Sequence, residues 1–252
     1  MRVIAHRGFS GRYAENTEPA FRAALAVGAD AVECDIQCTV DGVWVLFHDR
    51  SLRRKVGLSG RVPDRRWADL QGRLVRVRRR TPAPLMTLMD LAERLPPTEI
   101  FVEVKVLPGR PYDESQIRGL TYILRGHPEH AWRVITADQP TLERLHRLAP
   151  EIPRGLVLFP WASTEEIAQA GDWEYLFVHR RLHRCLPAWV RAGRRIVYYT
   201  INRPSDLKPY QTNRLYGIET DWPDRFRQAR RGTTGRKRSE GGPAGVGMDR
   251  SN

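Results

Sequence analysis

Short apolar runs recur along the chain at 3–5, 31–36, 100–106, 134–136, 155–159, 175–178, 196–201 and 217–220, eight in all. Between most of them the apolar positions change to a helical spacing, at 18–27, 88–95, 114–126, 139–149, 164–170 and 187–192. Strand alternating with helix implies a parallel sheet, and eight such units imply a closed (β/α)8 TIM barrel. A further strand at 43–47 follows the second unit, and residues 50–84 then interrupt the alternation, with Trp67-Ala-Asp-Leu70 as a short helix inside the interruption. Segments this long within a compact domain are usually functional. The chain's 252 residues suffice for one such barrel, expected over 1–224 with an insertion at about 50–84 and a tail at 225–252. Two helix starts are legible: Asn16 or Thr17 as a cap ahead of Pro19, and acids at Thr164-Glu165-Glu166.

Polar residues punctuate these runs where strands are expected to end. In Val32-Glu33-Cys34-Asp35-Ile36 the side chains alternate, so Glu33 and Asp35 share one face and Cys34 takes the other. Two carboxylates so close repel unless a cation or proton sits between them. Glu103 and Lys105 repeat the spacing inside the apolar run 100–106. A strand that buries acid and base on one side needs a polar reason for them. The three acids Glu33, Asp35 and Glu103 offer hard oxygen ligands for a divalent ion, Mg²⁺ or Ca²⁺ with Mn²⁺ as a further choice, rather than for zinc. Arg7 and Lys105 supply donors for phosphate oxygens. His6 and His48 each follow a strand, and a pair of imidazoles can serve as base and acid near neutrality. Together these groups suit metal-assisted phosphodiester hydrolysis.

The order His6-Arg7-Gly8, Glu15-Asn16-Thr17, Glu33-Cys34-Asp35, Asp41-Gly42, His48-Asp49, Glu103-Val104-Lys105, Tyr199-Thr200-Ile201-Asn202 and Thr220-Asp221-Trp222-Pro223 resembles the glycerophosphodiester phosphodiesterase family from Arg2 to about Asp224. The resemblance implies a TIM barrel that hydrolyses glycerophosphodiesters to glycerol 3-phosphate and an alcohol, the substrate's own glycerol hydroxyl attacking phosphorus first. It implies His6 and His48 as the acid–base pair, Glu33, Asp35 and Glu103 as metal ligands, and Arg7 and Lys105 on phosphate. Asn16, Tyr199 and Asn202 are expected in the pocket, and residues 50–84 as a subdomain over the barrel mouth. Three places depart from the family pattern. Tyr199 stands where a Trp is usual, adding a hydroxyl that could meet a head group. The run Leu52-Arg53-Arg54-Lys55-Val56 replaces Leu-Asp-Arg-Thr-Thr, and Met86-Thr87-Leu88-Met89-Asp90 replaces Pro-Thr-Leu-Glu-Glu. None removes a catalytic group, so they bear on substrate preference.

Charge adds a second layer. The formal net charge is +13, of which residues 50–80 carry +10 and residues 225–252 carry +6, leaving the rest of the chain at −3. A basic flap beside a phosphodiester pocket can steer anions. The runs at 76–80 and 236–238 could hold nucleic acid nonspecifically at low salt, but no recognition module or aromatic interleave accompanies them, so no dedicated nucleic-acid partner is expected. From Gly232 the tail reads as disordered. Cys34, Cys38 and Cys185 form no paired motif, no run approaches the ~20 apolar residues of a membrane span, and the chain opens at Met1 with no room for a leader before His6, so a reduced, cytoplasmic setting is expected. The oligomeric state is open. Two rivals remain. One is hydrolysis of lysophospholipids, marked by an apolar lip drawn from Val56, Leu58, Val62, Trp67, Leu70, Leu74 and Val75. The other is a non-catalytic barrel binding anionic ligands or nucleic acid through its basic insert, against which the intact chemical set argues.

Overall fold

The computed structural model describes residues 1–163, 173–184, 193–210 and 215–226. Among the described residues, eleven strands run in chain order: β1 Arg2–Ala5, β2 Ala31–Cys38, β3 Trp44–Leu46, β4 Leu74–Val75, β5 Ala83–Pro84, β6 Glu99–Val104, β7 Ala131–Thr136, β8 Arg154–Leu158, β9 Tyr175–His179, β10 Arg195–Tyr199 and β11 Leu215–Thr220. Eight of these, β1, β2 and β6 to β11, pair in parallel around a closed ring, sealed where β1 meets both β2 and β11. The expected (β/α)8 barrel is the observed one. Helices α1 Glu18–Ala26, α4 Leu88–Arg94, α5 Glu114–Gly126 and α6 Gln139–Leu148 cover its outer face, while α2 Arg53–Val56 and α3 Trp67–Leu70 belong to the interruption. The helices expected at 164–170 and 187–192, Cys185 and nearly all of the tail lie outside the described residues.

Alternation along the strands sorts side chains into two compartments. Outward residues such as Val32, Cys34, Cys38, Val102 and Val134 pack against Phe21, Leu91, Leu120 and Leu145 of the helices, which is where the two described cysteines sit, free and buried. Inward residues stack in layers. At the base, Glu99 accepts from Tyr216 Oη at 2.9 Å and pairs with Arg2, while Arg133 and Arg195 both donate to Tyr175 Oη, at 2.9 and 2.8 Å. Above lies an apolar layer of Ile4, Phe101, Ile135, Val157, Phe177 and Val197. Above that, at the C-terminal ends of the strands, the interior turns polar.

β3 runs antiparallel to the end of β2, with Ile36 opposite Leu46 and Cys38 opposite Trp44, and so carries the chain back to the mouth. Residues 50–84 then form α2, α3 and the β4–β5 hairpin around their own apolar cluster of Leu52, Val56, Val62, Leu70, Val75 and Leu85, closed against Val45 and Phe47. Four of the seven side chains expected to make an exposed lip, Val56, Val62, Leu70 and Val75, are buried in that cluster, and Leu58 and Trp67 pack partly against it. A segment this small has few apolar side chains, and it spends them on its own packing and on the contact with Val45 and Phe47. The departure at 86–90 costs no structure: Thr87 Oγ1 accepts from Asp90 N at 3.0 Å and Asp90 Oδ2 accepts from Thr87 N at 2.9 Å, a capping box that starts α4. Phe101 meets Tyr175 and Phe177 at ring separations of 5.3 and 5.2 Å in the middle of the barrel. Phe101→Ala should therefore destabilise the protein by about 3–5 kcal/mol in urea titration followed by circular dichroism, and a loss below about 1 kcal/mol would mean that the layer collapses around the gap.

Candidate active site

Strand geometry converges the three acids. Glu33 and Asp35 point inward from β2, and the β2–β6 register sets Glu103 directly beside Asp35. One oxygen from each of Glu33, Asp35 and Glu103 lies within 4.8 Å of the others. Glu33 and Asp35 are wholly buried, and Glu33 Oε1 and Asp35 Oδ1 accept no hydrogen bond. Buried carboxylate oxygens without donors are costly unless a cation completes them. The donor set is all oxygen, so the residues present fit a hard divalent ion. Burial, and then the charges of Asp35, Glu219 and Glu103, push the Glu33 carboxyl well above its ordinary range. Burial acts in the same sense on Asp35, but Arg7 and Lys105, with the two histidines, outweigh it and hold that carboxyl well below.

Three residues fix Asp35. Arg7 Nε stands 2.8 Å from its Oδ2, Asn16 Nδ2 donates to the same oxygen at 2.9 Å, and Lys105 Nζ lies 3.5 Å from Oδ1 while donating to Glu103 Oε1 at 2.7 Å. Asn16 Oδ1 also accepts from Asp35 N at 3.2 Å. Neither of the expected caps bonds an α1 amide. Thr17 occupies the capping position without a side-chain bond to the helix, and Asn16, at φ +56°, turns instead to the buried carboxylate, which has the greater need of a donor. Arg7 is likewise left-handed at φ +55°, held there by Arg7 N donating to Glu33 Oε2 at 2.9 Å and by its guanidinium contacts. Gly8 permits the turn: a Cβ there would lie 2.6 Å from the carbonyl carbon of Ala20 on α1.

Each catalytic candidate among the histidines has a carboxylate behind it. His6 Nδ1 is 2.7 Å from Asp221 Oδ1, and His48 Nδ1 is 3.1 Å from Asp49 Oδ1. Such a partner on Nδ1 orients the ring and leaves Nε2 for proton transfer. Burial and Arg7 lower the His6 pKa, but Glu219 and Asp221 overcome them and raise it above its ordinary value. Asp221 is itself held from both sides, by Ser10 Oγ at 3.0 Å and Asn202 Nδ2 at 2.8 Å. Gln37 Nε2, inward-facing on β2, donates to the carbonyls of Phe47 and Asp49 at 2.9 Å each and so fixes the His48 loop.

These groups open into a cleft of about 190 Å³ lined by His6, Arg7, His48, Glu103, Lys105 and Tyr199, with Phe159, His179 and Glu219. Asn16 and Asn202, expected in the pocket, stand behind it. Asn16 serves Asp35, and Asn202 serves Asp221, whose backbone N–H it also accepts at 2.9 Å. Tyr199 does form a wall, but its hydroxyl donates to Leu158 O at 2.9 Å, so it is not free for a head group. Sequence reasoning assigned no role to Glu15, Gln37, Lys55, Asp49, His179, Glu219 or Asp221. Gln37 and Glu219 could have been found by extending the inward alternation of their strands by one step, because Gln37 continues Glu33-x-Asp35 and Glu219 precedes the quoted Thr220-Asp221. Burial, reinforced by Glu103 and Asp35 against His6 and Arg7, pushes Glu219 up to about 7.

A closed parallel barrel with buried carboxylates, two braced imidazoles and two cationic donors at its C-terminal mouth belongs to the class of acid–base hydrolases that handle anionic substrates. The sequence matches the Glycerophosphoryl diester phosphodiesterase family over residues 6–225, and the chain belongs to that family and hence to the phosphoric diester hydrolases. It is 25% identical to a glycerophosphodiester phosphodiesterase of Caldanaerobacter subterraneus subsp. tengcongensis over 230 residues, covering 88% of this chain and 94% of that one. It is 29% identical to a Homo sapiens lysophospholipase D over 280 residues, covering 90% of this chain and 84% of that one. The structure resembles that of an Oleispira antarctica phosphodiesterase in complex with sn-glycerol-3-phosphate, with a TM-score of 0.79 and 25% identity over 92% of this chain and 97% of that one. No helix among the described residues is long and apolar enough to cross a membrane.

Asp221→Asn should move the His6 titration midpoint downward in imidazole NMR, because a carboxylate that favours the charged ring is lost while Arg7 remains. Asn202→Ala should act through the same chain and lower turnover by about 10–100-fold without abolishing it, as loss of a supporting hydrogen bond behind an active-site group typically does. An unmoved midpoint in Asp221→Asn would break the proposed coupling.

Proposed function

We propose that this protein hydrolyses glycerophosphodiesters to glycerol 3-phosphate and an alcohol, with a divalent ion at Glu33, Asp35 and Glu103. The observation that carries the reading is the trio itself: one face of a barrel mouth holds buried carboxylate oxygens without donors, and two braced histidines flank it. When bound, the ion would supply Lewis-acid polarisation of the phosphoryl group. Arg7 and Lys105, which line the cleft, would pair with the nonbridging oxygens and offset the charge that grows on them as phosphorus becomes five-coordinate. His6 and His48 would exchange protons through Nε2, one taking the attacking hydroxyl's proton and the other returning one to the leaving alcohol. Asp221 and Asp49 keep each ring turned for that exchange. Asn16, Asn202 and Gln37 act as positioning residues. The basic segment 50–80 is read as a source of attraction for the diester anion rather than as a nucleic-acid surface.

A second substrate reading, lysophospholipids, draws on one feature. Phe159 lines the cleft and stacks on Trp161 at 5.1 Å and 17°, and Trp161 is 76% exposed. An exposed ring continuous with the site is a place for an acyl chain to lie. The comparison with the human lysophospholipase D points the same way.

Release of glycerol 3-phosphate from glycerophosphocholine, glycerophosphoethanolamine and glycerophosphoglycerol, measured after chelation and again with Mg²⁺, Ca²⁺ or Mn²⁺, tests the first reading. Activity should vanish on chelation, return with an ion, and fall by about 10²–10⁴-fold in His48→Ala. Turnover of none of the three diesters beside turnover of lysophosphatidylcholine, reduced in Trp161→Ala, would transfer the function to the second reading. Full activity in His48→Ala would remove the histidine's assigned role.

A further inference from the structure

Beside the carboxylate trio lies a second cluster of possible ligands, Glu15, His48 and Asp49, whose atoms also fall within 4.8 Å of one another. Both clusters touch cations, Arg7 and Lys105 in the first and Lys55 in the second, but the first keeps buried carboxylate oxygens that accept no hydrogen bond. Lys55 reaches down from α2 in the 50–84 segment and is 1% exposed. Its ammonium pairs closely with Glu15 and lies 3.1 Å from Asp49 Oδ1, with the Phe47 ring 6.0 Å away. Each of these two carboxylates then touches a cleft residue. Glu15 accepts from Arg7 Nη1 at 3.0 Å, and Asp49 bonds His48. A single buried charge thus stands one bond behind a phosphate-binding arginine and one bond behind a catalytic histidine.

The backbone makes Lys55 hard to move. α2 is one turn long, ended at Gly57 in the left-handed conformation, and the carbonyl of Lys55 accepts from Arg76 N at 2.8 Å beside the β4–β5 hairpin. Val56 and Leu52 anchor the same turn in the segment's apolar cluster. A lysine with its stem buried and three donors on its head satisfies two acids that would otherwise repel in a dry site. Burial would raise Glu15, yet Arg7 and Lys55 hold it below its ordinary value. Burial would raise Asp49 too, and its bonds to His48, Arg54 and Lys55 hold that carboxyl low.

We propose that Lys55 is a positioning residue for the reaction: a fixed internal cation that aligns His48 through Asp49 and Arg7 through Glu15, and that keeps a divalent ion out of the Glu15–His48–Asp49 cluster, so that the enzyme works with one ion. The claim about alignment rests on the reaction proposed above, whereas the claim about ion number does not. Loss of the ammonium leaves Glu15 and Asp49 without their shared partner, so the loop that carries His48 and the Arg7 guanidinium both lose a support, while Lys105 keeps its own bonds to Glu103 and Asp35.

The test uses the full chain and its Lys55→Ala and Lys55→Met variants, with folding checked by circular dichroism. Bound Mn²⁺ is counted by electron paramagnetic resonance, without substrate. Wild type should bind one ion and Lys55→Ala two. Two ions in wild type, or one in both proteins, would overturn the proposal. For turnover, kcat in Lys55→Met should fall by at least tenfold with KM changed less than threefold. Methylammonium, a detached copy of the missing charge, should restore part of the kcat lost in Lys55→Ala, and methanol should not. A wild-type kcat in Lys55→Met, or a loss that methylammonium does not repair, would reduce Lys55 to a packing residue and overturn its positioning role. If wild type turns over none of the diesters, the substrate reading fails by itself and the ion count still decides for or against Lys55. If Lys55→Met does not fold, the ion count and amine rescue in Lys55→Ala carry the decision.

Discussion

Three carboxylates from two neighbouring strands, two of them wholly buried, converge at one mouth, and such an arrangement persists only if positive charge is built around it. Arg7, Lys105 and the two histidines supply part of that charge, and the orphaned oxygens of Glu33 and Asp35 leave a place for a hard cation. The surrounding polar structure follows from this constraint. Asn16 gives up helix capping to serve Asp35, and Arg7 accepts a left-handed backbone to serve it as well. The unequal environments drive the acids apart, with Glu33 raised and Asp35 lowered. Carboxylates so separated can play different parts at one pH.

The barrel makes the constraint possible. A layer of Ile4, Phe101, Ile135, Val157, Phe177 and Val197 separates the mouth from the charged base of Arg2, Glu99, Arg133 and Arg195. The same dry floor strengthens every ion pair above it, because a low local dielectric magnifies attraction and repulsion alike. The 50–84 segment adds a support from outside the ring. It packs in a small cluster shared with Val45 and Phe47 and places Lys55 between Glu15 and Asp49, beside His48.

The chemical set at the mouth was legible because local rules govern it. Glu33-x-Asp35 and Glu103-x-Lys105 declare their common faces by strand period, and His6 and His48 declare themselves by falling where strands end. The apolar spacing marks helix α5 at its observed bounds, whereas β6 stops at Val104, short of the expected 106, and leaves Lys105 just past the strand. The basic run at 53–55 shows in the sequence as a departure bearing on substrate preference within an anion-steering flap, and two of its members bind Asp49 instead: Arg54 and Lys55. Nothing in the string distinguishes a solvated lysine from one buried between two acids that stand 40 and 6 residues away in sequence. Thr17 does stand at the capping position, whereas Asn16 turns to β2, where its side-chain oxygen accepts from Asp35 N and its amide nitrogen donates to Asp35 Oδ2.

The sequence by itself therefore determined the barrel, its strand order along the chain and the residues that converge at its mouth, because periodicity and strand ends are properties of neighbours in the chain. Only the tertiary structure decided which polar groups face the cleft and which stand behind it. Asn202 behind Asp221, Gln37 behind the His48 loop, the Tyr199 hydroxyl spent on Leu158 and Lys55 between Glu15 and Asp49 are all pairings between separate segments. A buried polar group takes whichever partner the packing brings within about 3 Å, and that choice is made when the ring closes.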